Sequence, residues 1–191
     1  MNGSKKPGRP KGVRGKKEIL SEYQVDLVVE SIMNTNRSNR CRNIVLILFN
    51  HYLGMKAVDL VVLKVSDVYD GKAIFGSLIV NKVEPVIALK FNKKLYIALE
   101  LLIKSRIENE GKSFDCNSAL FKSQKNTFSP STLARLINKI YQDAGFSNTT
   151  SHSGKRSYLK KLVTQQHDIK TISRMTGDVA INVRRYLDEY I

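Results

Sequence analysis

Three short stretches near the C-terminal end carry residue types suited to chemistry on a phosphodiester. They are Ser151-His152-Ser153-Gly154-Lys155-Arg156-Ser157, Met175-Thr176-Gly177-Asp178 and Arg185-Tyr186-Leu187-Asp188. Cationic side chains neutralise phosphate oxygens, an imidazole moves protons, and a phenol is a nucleophile that can hold a phosphoryl group covalently. Two earlier stretches raise the same question: Leu53-Gly54-Met55-Lys56-Ala57-Val58-Asp59-Leu60, and Asn81-Lys82-Val83 in a turn between apolar runs.

The chain around them is basic. Its 191 residues hold 32 Lys+Arg against 17 Asp+Glu, a net charge of +15. Such an imbalance points to a polyanion, most often nucleic acid, with a merely solvated basic surface as the plain alternative. The hydrophobic fraction of 42% is enough for a real core. Cys41 and Cys116 show no ligand spacing, which argues for reduced thiols with neither disulfide nor zinc. The longest apolar run, Ile44 to Leu53, is interrupted by Asn50 and His51 and is too short to cross a bilayer. No secretory leader is evident, so a soluble, cytoplasmic, nucleoid-associated protein is expected.

Elements that could position these residues follow from periodicity and caps. Residues 1–17 hold seven basic side chains and no acidic one, leaving about +8 for residues 18–191. This tail is predicted to be disordered on its own and to place Arg9, Lys11, Arg14, Lys16 and Lys17 on DNA. Its Pro7-Gly8-Arg9-Pro10-Lys11 resembles the core of an AT-hook, which slides arginine into narrow minor grooves; a non-specific electrostatic arm is the alternative. Helices are predicted from Ser21 to Met33, Ser38 to Leu53 with Ile44, Leu46, Ile47 and Leu48 buried, and Val58 to Leu63. Period-2 patterns at Ala73–Val80 and Val86–Leu89 predict a small antiparallel sheet. Further helices are expected at Asn92–Glu110, from Ser129-Pro130 to Gly145, at Ser153–Gln166, at Ile169–Met175 and at Ile181–Tyr186, with a short apolar segment at Ser118–Lys122. The result is a mostly helical α+β domain with a small antiparallel sheet on one side.

The order and spacing of these motifs over residues 19–190 resemble the catalytic domain of the tyrosine recombinases, also called the phage integrase family. Leu63-Lys64-Val65-Ser66-Asp67-Val68 looks like the segment after that family's first arginine, and Ser151–Ser157 is similar to its second box in the variant reading His-Ser-Gly-Arg-Arg-Thr. The resemblance implies strand cleavage in double-stranded DNA without metal or cofactor. A tyrosine attacks the phosphodiester to give a 3′-phosphotyrosyl link and a free 5′-hydroxyl, two arginines clamp the phosphate, and a hairpin lysine protonates the leaving oxygen. Carried onto this chain, Tyr186 stands at the nucleophile, Lys82 at the general acid and His152 at the head of the second box. Lys56 and Lys155 stand at the two clamp positions, Asp178 where the family has histidine or tryptophan, and Arg156 and Arg185 as further DNA contacts.

The departures bear on activity. Lysine at both clamps keeps the charge but loses the planar fork, and losing one preorganised donor costs about 3 kcal/mol. Asp59 replaces the family's usual glutamate, and the segment from Gly177 to Tyr186 is one residue short. The core begins soon after the tail, as in the short fimbrial phase-switch invertases, and the chain ends five residues after Tyr186, little to reach a neighbouring copy. Three readings stand: a minimal, weakened site-specific recombinase; a catalytically inactive relative acting as a DNA-binding regulator or architectural protein; and an unrelated RNA- or anion-binding module. A homo-oligomer on DNA is left open. Both leading readings expect deletion of residues 1–17 to weaken duplex binding and flatten its salt dependence, by about 0.9 in logarithmic slope for every phosphate the tail had neutralised. An unchanged slope would show that the tail stays off DNA.

Overall fold

The computed structural model describes residues 18–35, 38–81, 86–123 and 126–190. The basic tail, with Arg9, Lys11, Arg14, Lys16 and Lys17, lies outside the described residues, as does Lys82.

Eight helices and two small hairpins follow one another among the described residues. They are α1 (Glu22–Met33), α2 (Arg40–Tyr52), α3 (Ala57–Leu60), β1 (Ser77–Asn81), β2 (Ile87–Lys90), α4 (Lys93–Glu110), β3 (Lys122–Ser123), β4 (Asn126–Thr127), α5 (Pro130–Asp143), α6 (Ser153–Thr164), α7 (Ile169–Thr176) and α8 (Ala180–Tyr190). Local chemistry explains many of the starts. Ser21 and Gln24 form a reciprocal capping box on α1. Asn92, Ser129 and Asp168 each accept from the backbone three residues on, and Pro130 opens α5 where its missing N–H costs nothing. The expected helices are present, with three differences. Asn39 rather than Ser38 precedes α2, without a side-chain cap. The third helix is a single turn, Ala57–Leu60, and α8 runs on to Tyr190. The first strand is shorter than its apolar pattern: only Ser77–Asn81 pairs with Ile87–Lys90, antiparallel, and the stretch before it makes an isolated bridge between Tyr69 and Ile74.

The centre of the molecule is α2, flanked by α1, α4 and α6. Residues Val45 to Tyr52 are buried on every face, as a helix packed on all sides must be. Ile44, read as fully buried, is only partly so. Asn50 and His51, which look like interruptions of an apolar run, are buried as well, at 0% and 7% exposure. A buried amide needs partners, and Asn50 has three. Its Nδ2 donates to the Met55 carbonyl at 2.8 Å and to the Ser151 carbonyl at 3.0 Å, and its Oδ1 accepts from the Tyr141 hydroxyl at 2.9 Å. One side chain thus fixes the loop leading into α3, the loop leading into α6, and α5.

Two glycines permit this crowding. A Cβ on Gly154 would lie 2.3 Å from Asn50 Oδ1 and 2.7 Å from the Asn50 backbone oxygen, so α6 can approach α2 only with glycine there. Gly54 has φ +63°, and a Cβ on it would meet the Tyr158 ring at 2.4 Å.

Helices α6, α7 and α8 share a second, smaller apolar cluster of Tyr158, Leu159, Leu162, Ile172, Val183 and Tyr186. Ser157 joins the N-terminal stretch to it, accepting from the Leu20 amide at 3.0 Å. At the far end of α4, Glu110 binds Arg106 and Lys122, and Arg106 reaches the Ala119 carbonyl at 2.8 Å, closing α4 onto the 118–122 segment.

Two stability predictions follow from these buried groups. Asn50→Ala strands the Tyr141 hydroxyl and two carbonyls, and Gly154→Ala drives α6 from α2; each is expected to cost about 3 kcal/mol, read from the urea midpoint, and an unchanged midpoint would remove the role given to that residue. His51 has no partner for its Nδ1 and packs edge-on to Tyr52, with burial and then Lys161 lowering its pKa to about 4. The unfolded imidazole binds its proton near 6.5, so stability is full above that value and falls as pH drops toward 4, by about 3 kcal/mol. His51→Leu should remove most of that slope in pH-dependent denaturation; a slope unaltered by the substitution would place the titration elsewhere.

Candidate functional site

Where the starts of α3 and α6 meet the turn between α7 and α8, three charged side chains converge. Lys56 precedes α3 in extended backbone, its amide donating to Asp59 Oδ2 at 3.0 Å. Asp59 therefore serves first as the cap of that short helix. The Lys56 Nζ lies 3.1 Å from Asp178 Oδ1. Lys155, in the first turn of α6, is 5% exposed; its Nζ is paired with Asp178 Oδ2 and lies 3.4 Å from the Thr176 carbonyl. The turn carrying Asp178 is itself tied down. Ser173 Oγ donates to the Asp178 carbonyl, the Asp178 amide lies 3.4 Å from Thr176 Oγ1, and that hydroxyl donates to the Ile172 carbonyl at 2.9 Å.

Burial and pairing pull these groups in opposite directions. Burial works against the charge on Asp178, but the two ammonium groups outweigh it and hold the carboxyl below its usual range. At Lys155 burial wins and the ammonium is pushed down despite Asp178. At Lys56 burial is outweighed by Asp178 and Asp59, and the ammonium is held above its ordinary value. Two like groups sharing one carboxylate are thus set apart in basicity by their depth.

His152 sits at the head of α6, its amide donating to Thr150 Oγ1 at 3.3 Å. The residue as a whole is exposed, yet desolvation of its ring, followed by Arg156, Lys155 and Lys56, lowers its pKa. The imidazole is accordingly neutral at pH 7 and able to accept a proton. Arg156 donates to Thr150 Oγ1 at 3.1 Å and lies over the Tyr190 ring.

Tyr186 is placed differently. It is 8% exposed, belongs to the smaller apolar cluster, and donates its hydroxyl to the Arg156 carbonyl at 2.7 Å. Tyr190, one turn on, stacks on it with ring centres 4.8 Å apart. Burial raises the phenol far above its ordinary pKa against the opposing pull of Arg156. In this state the hydroxyl is committed to the backbone of α6 and is not hydrogen-bonded to any of the ionic trio. Arg185 is exposed and reaches only Asn182, at 2.9 Å. The structure therefore gathers Lys56, Lys155 and Asp178, sets His152 within their electrostatic reach with Arg156 close to it, and holds Tyr186 in apolar packing on α6.

A cavity of about 370 Å³ opens beside the trio between α3, β1 and α7, lined by Met55, Gly54, Asp59, Arg174, Thr176 and Gly177 among others. Arg174 there was not among the residues expected from the sequence, nor was Asn50, whose two carbonyl partners immediately precede Lys56 and His152. The first could have been found from its place on the helix that ends at Gly177; the second gives no signal in the sequence, because its partners are five and 101 residues away. Among the described residues no cluster of His, Cys, Asp and Glu could hold a metal ion, and no helix is long and apolar enough to cross a membrane.

No curated protein sequence matches this one. Solved structures do share the fold. The crystal structure of XerA recombinase is similar over 88% of this chain and 59% of its own, at 20% identity and a TM-score of 0.68. XerH site-specific recombinase bound to difH substrate in a pre-cleavage complex is similar over 88% of this chain and 49% of its own, at 22% identity and a TM-score of 0.65. A lambda integrase dimer bound to a COC′ core site is similar over 95% and 63%, at 17% identity and 0.60. This chain thus spans about half to two thirds of the length of these proteins. The family model described as the phage integrase family matches residues 20–190, nearly the whole of the described chain and every element named above. The protein belongs to the phage integrase family.

Proposed function

We propose that this protein binds duplex DNA by seating a backbone phosphate at Lys56 and Lys155, and that it cleaves and rejoins the strand through Tyr186 once that residue leaves its pocket on α6. The observation that carries the reading is the meeting of two lysines, far apart in the chain, at one carboxylate. Two ammonium groups gathered on one carboxylate at rest are equally placed to hold another anion with the same charge and the same pair of oxygens. Family membership and the net charge of +15 make DNA phosphate the fitting one.

In the chemical step the Tyr186 oxygen bonds to phosphorus as the bond to the 5′ oxygen breaks. The phenolic proton passes to a base, for which the neutral imidazole of His152 is suited. The departing 5′ oxygen takes a proton from an acid, the role the family resemblance gives to Lys82. Ammonium groups neutralise the developing charge without the bidentate geometry of arginine, so slow turnover is expected. The basic tail, Arg156 and Arg185 would add phosphate contacts along the duplex. Strand exchange needs at least two cleaved strands, so the reading implies more than one copy on the DNA, in the cytoplasm at the nucleoid.

A second reading, a DNA-binding regulator without strand cleavage, is favoured by the burial of Tyr186 and its hydrogen bond to Arg156. The two separate cleanly. The protein is incubated with a pool of nicked suicide duplexes of randomised sequence, and covalent complexes are isolated on denaturing gels. An adduct formed by the wild type and absent from Tyr186→Phe supports cleavage. Binding without any adduct supports the regulator.

A further inference from the structure

A phosphodiester in the DNA backbone carries one negative charge shared over two non-bridging oxygens. A carboxylate has the same charge and the same pair of equivalent oxygens. In this protein each oxygen of Asp178 meets a different lysine: Oδ1 meets Lys56 and Oδ2 meets Lys155. Lys155 is almost fully buried, and a buried ammonium without a counter-anion would be costly. At rest the carboxylate therefore fills the place between the two ammonium groups.

We propose that Asp178 is a built-in stand-in for the DNA phosphate: its carboxylate occupies the phosphate seat between Lys56 and Lys155 at rest, and DNA must displace it to engage the site. The proposal rests on the reading of the lysine pair as a phosphate contact. A phosphate placed on the same two ammonium groups would lie against the carboxylate, and the repulsion between the two anions favours the turn that carries Asp178 out of the seat. Engagement is an exchange in which Lys155 trades one anion for another without passing through a bare state. The turn that must move, Gly177 to Val179, leads directly into α8, so the displacement that admits phosphate acts on the helix that carries Tyr186. The hydrogen bond that the Asp178 carbonyl accepts from Ser173 and the one that its amide donates to Thr176 set the resistance to that movement. The acidic side chain thereby lowers resting affinity and confines tight binding to a backbone that can push the turn aside.

Asp178→Asn tests this with two probes, inorganic phosphate by titration calorimetry and a 20-base-pair duplex by fluorescence anisotropy across salt concentrations. Removing one negative charge from the seat should tighten phosphate binding about tenfold and tighten duplex binding at every salt concentration with its logarithmic salt slope unchanged, since the same phosphate is neutralised in both complexes. A folded Asp178→Asn protein with unchanged or weaker phosphate affinity overturns the proposal. Because that variant leaves Lys155 unpaired, a second comparison avoids any buried lone ammonium: Lys155→Met against Lys155→Met with Asp178→Asn. The double variant should bind phosphate more tightly, through a freed Lys56; equal affinity overturns the proposal. A gain in phosphate affinity without duplex binding in any variant supports the stand-in and strikes at the DNA reading alone.

Discussion

The Asn50 side chain is the constraint on which the rest depends. An amide at 0% exposure in the middle of the central helix must satisfy its donors and acceptor inside the protein, and it does so on three separate segments. Two of these are the loops that deliver Lys56 and His152. The third is Tyr141, whose hydroxyl would otherwise be a buried polar orphan. Gly154 lets α6 come within reach, and Gly54 turns the chain toward Lys56 beneath Tyr158. Packing density and hydrogen bonding are here one requirement: a methyl group at residue 154 would collide with the same amide that positions the site.

Around that node the molecule is divided electrostatically. Lys56, Asp178 and Lys155 form a compact ionic group with one net positive charge, at the junction of three element ends. Tyr186 lies in a separate apolar cluster, its phenol held protonated by burial and by its bond to the backbone of Arg156. A phenol held in this way is a poor nucleophile. The turn between α7 and α8 couples the two regions, since it carries Asp178 at one end and opens the helix of Tyr186 at the other. Arg156 is the second link. Its carbonyl holds the phenol, and its guanidinium lies over the Tyr190 ring that stacks on Tyr186.

Much of the fold was legible because caps and periodicity are local. Ser21, Ser129-Pro130 and the apolar stripe of α4 state their elements outright. The candidate site was legible in a different way: composition pointed toward a polyanion, and only the resemblance to a family singled out Lys56, Lys155 and Asp178 from the other charged residues. What could not be read was long-range. Asn50 and His51 look like breaks in an apolar run, although their burial is what organises α2. The expected strand from Ala73 begins only at Ser77, because Ala73 and Phe75 pair back on the turn after Val68 instead of on the second strand. The spacing of Val183, Tyr186, Leu187 and Tyr190 marks one covered face of α8, but the bond of the Tyr186 hydroxyl to the Arg156 carbonyl depends on α6 and could not be read locally.

The most direct measurement is a crystal structure of the protein on duplex DNA. A backbone phosphate is expected between the Lys56 and Lys155 ammonium groups, with Asp178 swung out of that place and the Tyr186 hydroxyl released from the Arg156 carbonyl. A duplex seated on another face, with Lys56, Asp178 and Lys155 still joined to one another, would contradict it.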